Sequence, residues 1–414
     1  MSNAAAPRTL EITGVGAQGD GLAQGAFVPF TLPGERVEAT VAGGRGELSA
    51  ILQASPERVA PPCPHFGVCG GCALQHWAHP PYLAWKAEQI RLALARERIE
   101  TEFAPGFAAP PESRRRLALH VRRGPGGVRL GYKERRSWSL VDAAVCPISD
   151  PRLVAAFPAL RAVGGAFLQH PKSAPTLHVT LTDTGLDVDV TGVEKKSGGP
   201  SAAALQTAAQ AAGRADLARL TLDGDMVYGE RAPSVRFGRA TVALPPGGFL
   251  QAVAAAEAFM AEVAVAAVTG AGKVADLFSG AGAFSFRLAE VAATHAVDGS
   301  EPAIRALTRA VGTAAGLKPV TAEARDLFRR PLGQPELKRF EAAVFDPPRA
   351  GAAAQAAELA ASKLGVVVGV SCNPATFARD ARLLIDGGFR LERVTPVDQF
   401  LWSPHIELVG VFRR

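Results

Sequence analysis

The chain has 414 residues, 48% hydrophobic and 20% charged, with a formal net charge of +6. That length admits two or three domains, and the balance suits a soluble globular protein whose mild basicity allows an anionic partner without demanding one. Residues 252–268 are alanine-rich but carry Glu257 and Glu262, which excludes a membrane span.

The start, MSNAAAPRTL, lacks a basic segment followed by an apolar core, so no secretory leader is expected. Five cysteines, an odd number, then argue against a disulfide framework and for metal or catalytic use in the cytoplasm. Residues 1–58 read as short apolar runs between Gly-rich turns, the pattern of a five-stranded OB-like barrel. Proline-rich PERVAPPCP marks a boundary and the cysteine cluster follows. Leu83, Ala87, Ile90, Leu94 and Arg98 then fall at helical spacing, within a helix over 81–99 that is a candidate to pack on the last domain.

The span 59–240 otherwise reads as a central, mainly antiparallel β domain. Leu117, Leu119 and Val121 alternate to one face, a turn occupies 124–127, a second hairpin 177–190, and a helix 201–219. Over 241–414 strands alternate with helices, as in a Rossmann-like α/β domain with a parallel sheet. FSFRLAEVA and EPAIRALTRAVGTA are expected to be helical there, and VVVGVS is a buried strand.

Ligands of such sheets sit outside the carboxyl ends of the strands. Four strand ends carry unusual chemistry. DLFSGAG, from Asp276 to Gly282, is a Gly-rich turn, and Asp298 follows 22 residues after Asp276, near the spacing of a ribose-binding acid. A dinucleotide fingerprint would need its third glycine where Ser285 stands, and no lysine follows to make a phosphate-binding loop. Asp346-Pro347-Pro348 removes two backbone donors and frees neighbouring carbonyls to accept from a ligand. Cys372 ends the fourth strand, in Ser371-Cys372-Asn373-Pro374, where a small core thiol is the plain alternative.

DPPRAG, SCNPATFARD and QFLWSPHIELV together resemble the RNA (uracil-5-)-methyltransferase family, and DLFSGAG resembles the first motif of class I S-adenosylmethionine methyltransferases. The resemblance runs through the whole chain and implies a TRAM-like amino-terminal barrel. It implies methyl transfer from S-adenosylmethionine to C5 of a uridine in RNA. Cys372 would be the nucleophile that adds to C6, helped by a lowered pKa, and Glu407 of His405-Ile406-Glu407 the base that removes the C5 proton. Gln251, Phe278, Gly280, Gly282, Asp298 and Asp326 are implied for the cofactor, with Asp346 between cofactor and base. Val253, Ala283 and Ser279 depart from residues usual in relatives, which puts cofactor hydrogen bonds in doubt.

Cys63, Cys69 and Cys72 share one Gly-bearing loop and Cys146 adds a fourth thiol; the spacing leaves a [4Fe-4S] cluster and structural zinc open. The resemblance favours the cluster, and with it the 23S ribosomal RNA branch over the tRNA branch. Between Arg114 and Arg136 nine Lys or Arg stand against one acid, Glu134, among His120, Tyr132 and Trp138. Alternation along hairpins puts much of this charge on one face suited to phosphates, and a buried target base must be flipped out to reach Cys372. The expected protein is a monomer that binds RNA. An exocyclic-amine methyltransferase, which would need neither Cys372 nor Glu407, is one rival reading. An iron-sulfur RNA-binding protein with a vestigial catalytic domain is the other.

Overall fold

Val366–Ser371 is rich in β-branched residues because both of its faces are covered. In the computed structural model, which describes residues 6–196 and 198–414, this strand lies inside a nine-stranded sheet. The first five residues of the leader and barrel readings fall outside the described part. In spatial order the sheet runs Val320–Ala324, Ala293–Asp298, Lys273–Leu277, Ala342–Phe345, Val366–Ser371, Glu407–Arg413, Arg390–Asp398 and Glu102–Phe103, with Phe107–Ala108 also pairing Arg390–Asp398. Successive side chains point to opposite sides: Leu277, Ala343 and Val367 enter one core, and Val344, Val368 and Val370 the other.

The expected parallel sheet is mixed, because Glu407–Arg413 returns as a hairpin and runs against both of its neighbours. The helix expected over FSFRLAEVA shrinks to Ser285–Leu288, since the Gly-rich turn continues to Phe284 and strand pairing resumes at Ala293. Gly410 sits opposite Gly369, and a Cβ on Gly410 would stand 2.3 Å from the Phe377 ring. Glycine there lets helix Pro374–Asp386, which starts just after Cys372, seat directly on the sheet.

Helix His79–Arg96 opens on a Pro-Pro pair, whose missing N–H groups cost nothing in a first turn. It stops before the expected residue 99. Arg98 adopts φ 55°, and the N–H groups of Arg98 and Ile99 reach back to the carbonyls of Ala95 and Leu94, a Schellman closure. Ile90, Ala93 and Leu94 join the core that holds Phe377 and Ala381. Within the span 59–240, this helix packs against the carboxy-terminal domain as the sequence allowed, and the two short strands after it extend that domain's sheet. Lys86 Nζ lies 2.5 Å from Asp398 Oδ1, with side-chain exposures of 1% and 2%. Tyr82 OH donates to Asp398 Oδ2 at 2.7 Å and accepts the Trp402 N–H at 2.8 Å.

The central part is a seven-stranded sheet whose order is Leu140–Asp142, Gly127–Lys133, Arg116–Gly124, Thr176–Thr182, Gly185–Thr191, Arg219–Leu222 and Asp225–Gly229. Leu117, Leu119 and Val121 all face its core, together with residues of helices Phe157–Gly165 and Ala202–Arg214. The helix expected over 201–219 ends at Arg214, since Arg219 is needed as the first residue of a strand and is bidentate to Asp187. At the amino terminus, the two outer pieces of a six-segment sheet, Arg8–Glu11 and Gly14–Val15, are consecutive in the chain, so the sheet closes on itself. Six segments replace the expected five because the first strand breaks. The Ile12 N–H turns to Glu35 and the Thr13 N–H to Leu22. Among the described residues no helix is long and apolar enough to cross a membrane.

Removing one member of the buried Lys86–Asp398 pair strands the other charge in the interior. Lys86→Ala is expected to cost about 3–5 kcal/mol in urea unfolding. Replacing both with apolar residues of similar volume should restore most of that, and an equal loss in both variants would contradict the charge argument.

Candidate active site

The register that sets Val366 against Arg413 and Ser371 against Leu408 leaves Cys372 and Glu407 each next to the last registered pair. Cys372 immediately precedes Asn373, the N-cap of helix Pro374–Asp386. The Asn373 side chain accepts the Ala375 N–H at 3.1 Å and donates to the Arg349 carbonyl at 3.0 Å. One asparagine thus starts the helix and ties down the Asp346–Arg349 turn. The proline after it suits the helix's first position, and the positive end of the helix dipole lies close to the thiol.

Cys372 and Glu407 line a single cavity of about 680 Å³, together with Gln251, Phe278, Gly280, Asp298, Asp326 and Asp346. Gly282 does not line it. At φ 99° it packs inward, and a Cβ would meet the Phe286 ring at 2.8 Å and Leu307 at 3.1 Å, so this glycine serves the packing of the turn. Gly280, at φ 55°, has open space where a Cβ would stand. Asp298 locks the turn by accepting the N–H groups of Gly280 at 2.9 Å and Ser300 at 2.6 Å. Phe278 holds φ 62°, a strained value for an aromatic residue, and its ring lies 5.5 Å from that of Phe328. Two aspartates near strand ends, a glycine floor and paired aromatics fit a nucleoside with free ribose hydroxyls.

The polar end of the cavity is a chain of buried hydrogen bonds. Gln251 Nε2 donates to Asp346 Oδ2 at 3.1 Å, while Gln399 Nε2 donates to Gln251 Oε1 at 2.6 Å and to Glu407 Oε1 at 3.0 Å. Gln399 was missed in the sequence, although it opens the quoted QFLWSPHIELV stretch. Its neighbour Asp398 is the residue that anchors Lys86 and Tyr82, so the loop is held from both sides. Val253 is core, with its N–H directed at Gln399 Oε1, so that departure does not face the cavity; Ala283 does line it.

Burial and the neighbouring Asp346 push the Glu407 carboxyl up to about 8, and burial pushes Asp346 to about 7. Cys372 goes the opposite way from the lowered pKa expected of it. Burial, then the charges of Glu407 and Asp346, raise the thiol to about 11, with Arg349 opposing. The helix terminus and Arg349 do not outweigh burial and the two carboxylates. A cationic ligand in the cavity would favour the thiolate by cancelling them.

Cys63, Cys69, Cys72 and Cys146 ring a second cavity of about 220 Å³, beside His65, Gln75 and Tyr132. Cys146 Sγ lies 3.0 Å from Ser149 Oγ and 3.5 Å from Tyr132 OH, and the Gly71 N–H lies 3.4 Å from Cys69 Sγ. Among the described residues no three His, Cys, Asp or Glu side chains are grouped so as to hold a single metal ion. Four thiolates would be the donor set for any metal group held here.

The family model for tRNA (uracil-5-)-methyltransferase matches residues 201–414. An RNA methyltransferase of Caulobacter vibrioides is 64% identical over 98% of this chain and 99% of its own. The 23S rRNA (uracil(1939)-C(5))-methyltransferase RlmD of Halomonas elongata is 33% identical, over 97% of this chain and 88% of its own. The structure of Pyrococcus abyssi tRNA (uracil-54, C5)-methyltransferase in complex with S-adenosyl-L-homocysteine shares the fold, with a TM-score of 0.74 at 22% identity and both chains fully covered.

Because Glu407 helps hold the thiol high, Glu407→Gln removes a negative neighbour and should lower the Cys372 pKa from about 11. Iodoacetamide alkylation across pH, read by mass spectrometry of the Cys372 peptide, should show the midpoint moving down. An unmoved midpoint contradicts the electrostatic coupling of the two groups.

Proposed function

The chain belongs to the tRNA (uracil-5-)-methyltransferase family, and we propose that it methylates C5 of a uridine in large-subunit ribosomal RNA through a covalent bond between Cys372 and C6 of the base. The observation that carries the covalent part is the presence of Cys372 and Glu407 in one cavity, each next to the last registered pair, Ser371 and Leu408. The ribosomal target is supported by the near full-length match to RlmD and by the four-thiol cavity.

Uracil C5 is too weak a nucleophile to take a methyl group unaided. The Cys372 thiolate adds to C6, which drives the ring electrons into an enolate and places density on C5. S-adenosylmethionine supplies the methyl group as an electrophile and departs as a neutral thioether. Glu407 takes the proton from C5, the electron pair of that C–H bond forms the C5=C6 bond, and the thiolate is expelled with the pair of the C–S bond. Glu407 is the right group for this because burial raises its affinity for a proton; its basic form grows as pH rises through about 8. Gln399 orients the carboxylate, and Gln251 and Asp346 face the same end of the cavity. Phe278, Gly280, Asp298 and Asp326 would hold the methyl donor.

Cys63, Cys69, Cys72 and Cys146 would hold a [4Fe-4S] cluster that supplies a covalent tie between the 63–72 loop and the 146 segment. With every iron held by a thiolate none is open to a substrate, so its role is structural. Anaerobically isolated protein should carry about four irons per chain, and one zinc per chain would overturn the assignment.

Incubation with 5-fluorouridine RNA and S-adenosylmethionine tests the reaction, because fluorine cannot leave C5 as a proton does. Wild type should form an adduct that survives denaturation, and Cys372→Ala should form none. Full methylation by Cys372→Ala would overturn the covalent route, and absence of S-adenosylmethionine binding would favour the vestigial reading.

A further inference from the structure

Strand alternation divides the central sheet into two unlike faces. Leu117, Leu119, Val121, Leu130, Leu177 and Val179 fill the core. Arg116, His120 and Arg122 on one strand, Arg129 and Lys133 on the next, and His178 on the third therefore share the other side. Arg122 stands directly opposite Arg129 in the register, an arrangement of like charges that destabilises a bare sheet. Among the described residues neither makes an ion pair with a carboxylate, although Asp142 feels the charge of Arg129: Arg122 donates to the Val121 carbonyl and Arg129 to that of Leu140. Burial, then Lys133, Arg122 and His178, hold the His120 pKa below its ordinary value, a sign of concentrated positive potential.

The other arginines of this stretch do different work. Arg115 pairs with Glu257, and Arg135 and Arg136 with Asp20, so these three tie segments together. The charge expected on one face is thus carried by fewer residues than the sequence suggested, and it is better focused.

Two exposed aromatics stand at the same end of the basic face, because the register that sets Gly131 against His120 carries Lys133 back toward Arg116 and leaves Arg122 and Arg129 at the hairpin end. Lys133 Nζ lies 3.9 Å from the ring centroid of Trp138, which is 81% exposed on the turn after that strand. On the neighbouring strand at that end the Arg116 guanidinium lies 5.2 Å from the Phe249 ring, 67% exposed, and donates to the Leu250 carbonyl at 2.7 Å. Phe249 lines the cavity that contains Cys372.

We propose that this sheet face is the track by which an unpaired RNA strand reaches the active site, with phosphates on Arg122 and Arg129 at the far end and on Lys133 nearer the cavity, and a base stacked on Trp138 beside Lys133. The proposal deepens the RNA reading above and rests on it. A polyanion relieves the Arg122–Arg129 repulsion, and two flat exposed rings at the cavity end select nucleobases over an acidic peptide. The backbone spans about 20 Å between Arg116 and Arg122, at about 3.3 Å per residue, enough for several nucleotides to lie along it.

Binding of a short fluorescein-labelled oligouridylate, measured at several salt concentrations, tests the track. Replacing Arg122, Arg129 and Lys133 by Gln should weaken binding and reduce the salt slope by about 2, at about 0.7 per lost phosphate contact. Trp138→Ala should weaken binding about tenfold, and Trp138→Phe should retain most of the affinity. A control variant, Arg309→Gln with Lys318→Gln, should bind like wild type. An unchanged slope in the triple variant, or an equal loss in the control, overturns the track. So does binding of polyglutamate that competes equally and depends equally on Trp138. The 5-fluorouridine adduct is read in the same variants at saturating RNA. If it forms while the triple variant binds normally, the track fails and the chemistry stands; if wild type forms none, the uridine reading itself fails.

Discussion

The pairing of Val366–Ser371 with Glu407–Arg413 is the constraint on which the site depends. An all-parallel sheet would leave the end of the Val366–Ser371 strand flanked by another carboxyl end. The antiparallel hairpin instead brings the start of a strand to that edge, and with it Glu407. A one-residue slip would turn every side chain of the terminal strand to the other face and take the carboxylate out of the cavity. The Gly369–Gly410 pair, the Phe377 ring and the Lys86–Asp398–Tyr82 cluster all resist such a slip.

The same packing that fixes geometry creates an electrostatic problem. Cys372, Asp346 and Glu407 are three acids in little water, and burial drives each toward its neutral form. A protonated thiol protects the resting protein from unwanted addition, and a protonated Glu407 cannot act as a base. Any cation entering the cavity shifts all three toward their charged forms. Under the proposed reaction, electrostatics couple arrival of a positively charged methyl donor to activation of Cys372 as nucleophile and Glu407 as base. Gln399, which touches both Gln251 and Glu407, keeps the chain of dipoles aligned meanwhile.

Much of this was legible in the sequence because strand ends in α/β sheets carry local signals. DLFSGAG, Asp298, DPPRAG and SCNP each announce themselves over a few residues, and they meet in one cavity. What escaped were relations between distant segments. The antiparallel return of the last strand and the Lys86 and Tyr82 contacts to Asp398, across more than 300 residues of chain, depend on tertiary contacts that no local period encodes; that helix His79–Arg96 packs on the last domain was itself anticipated. Gln399 escaped because a buried glutamine has no spacing rule, and the inward packing of Gly282 against Phe286 and Leu307 was not readable because a turn glycine can serve packing as well as binding. The direction of the Cys372 shift was misjudged because it is a sum over neighbours, and Glu407 and Asp346 are neighbours only in space.

Release of the C5 hydrogen tests the pairing of thiol and carboxylate most directly. In a single turnover on RNA tritiated at uridine C5, wild type should lose one tritium for each methyl gained. Glu407→Gln should transfer the methyl group yet keep the tritium, bound to the protein through Cys372. Tritium release by that variant at the wild-type rate would mean that another group removes the proton, and the account of the site given by the strand register would be wrong.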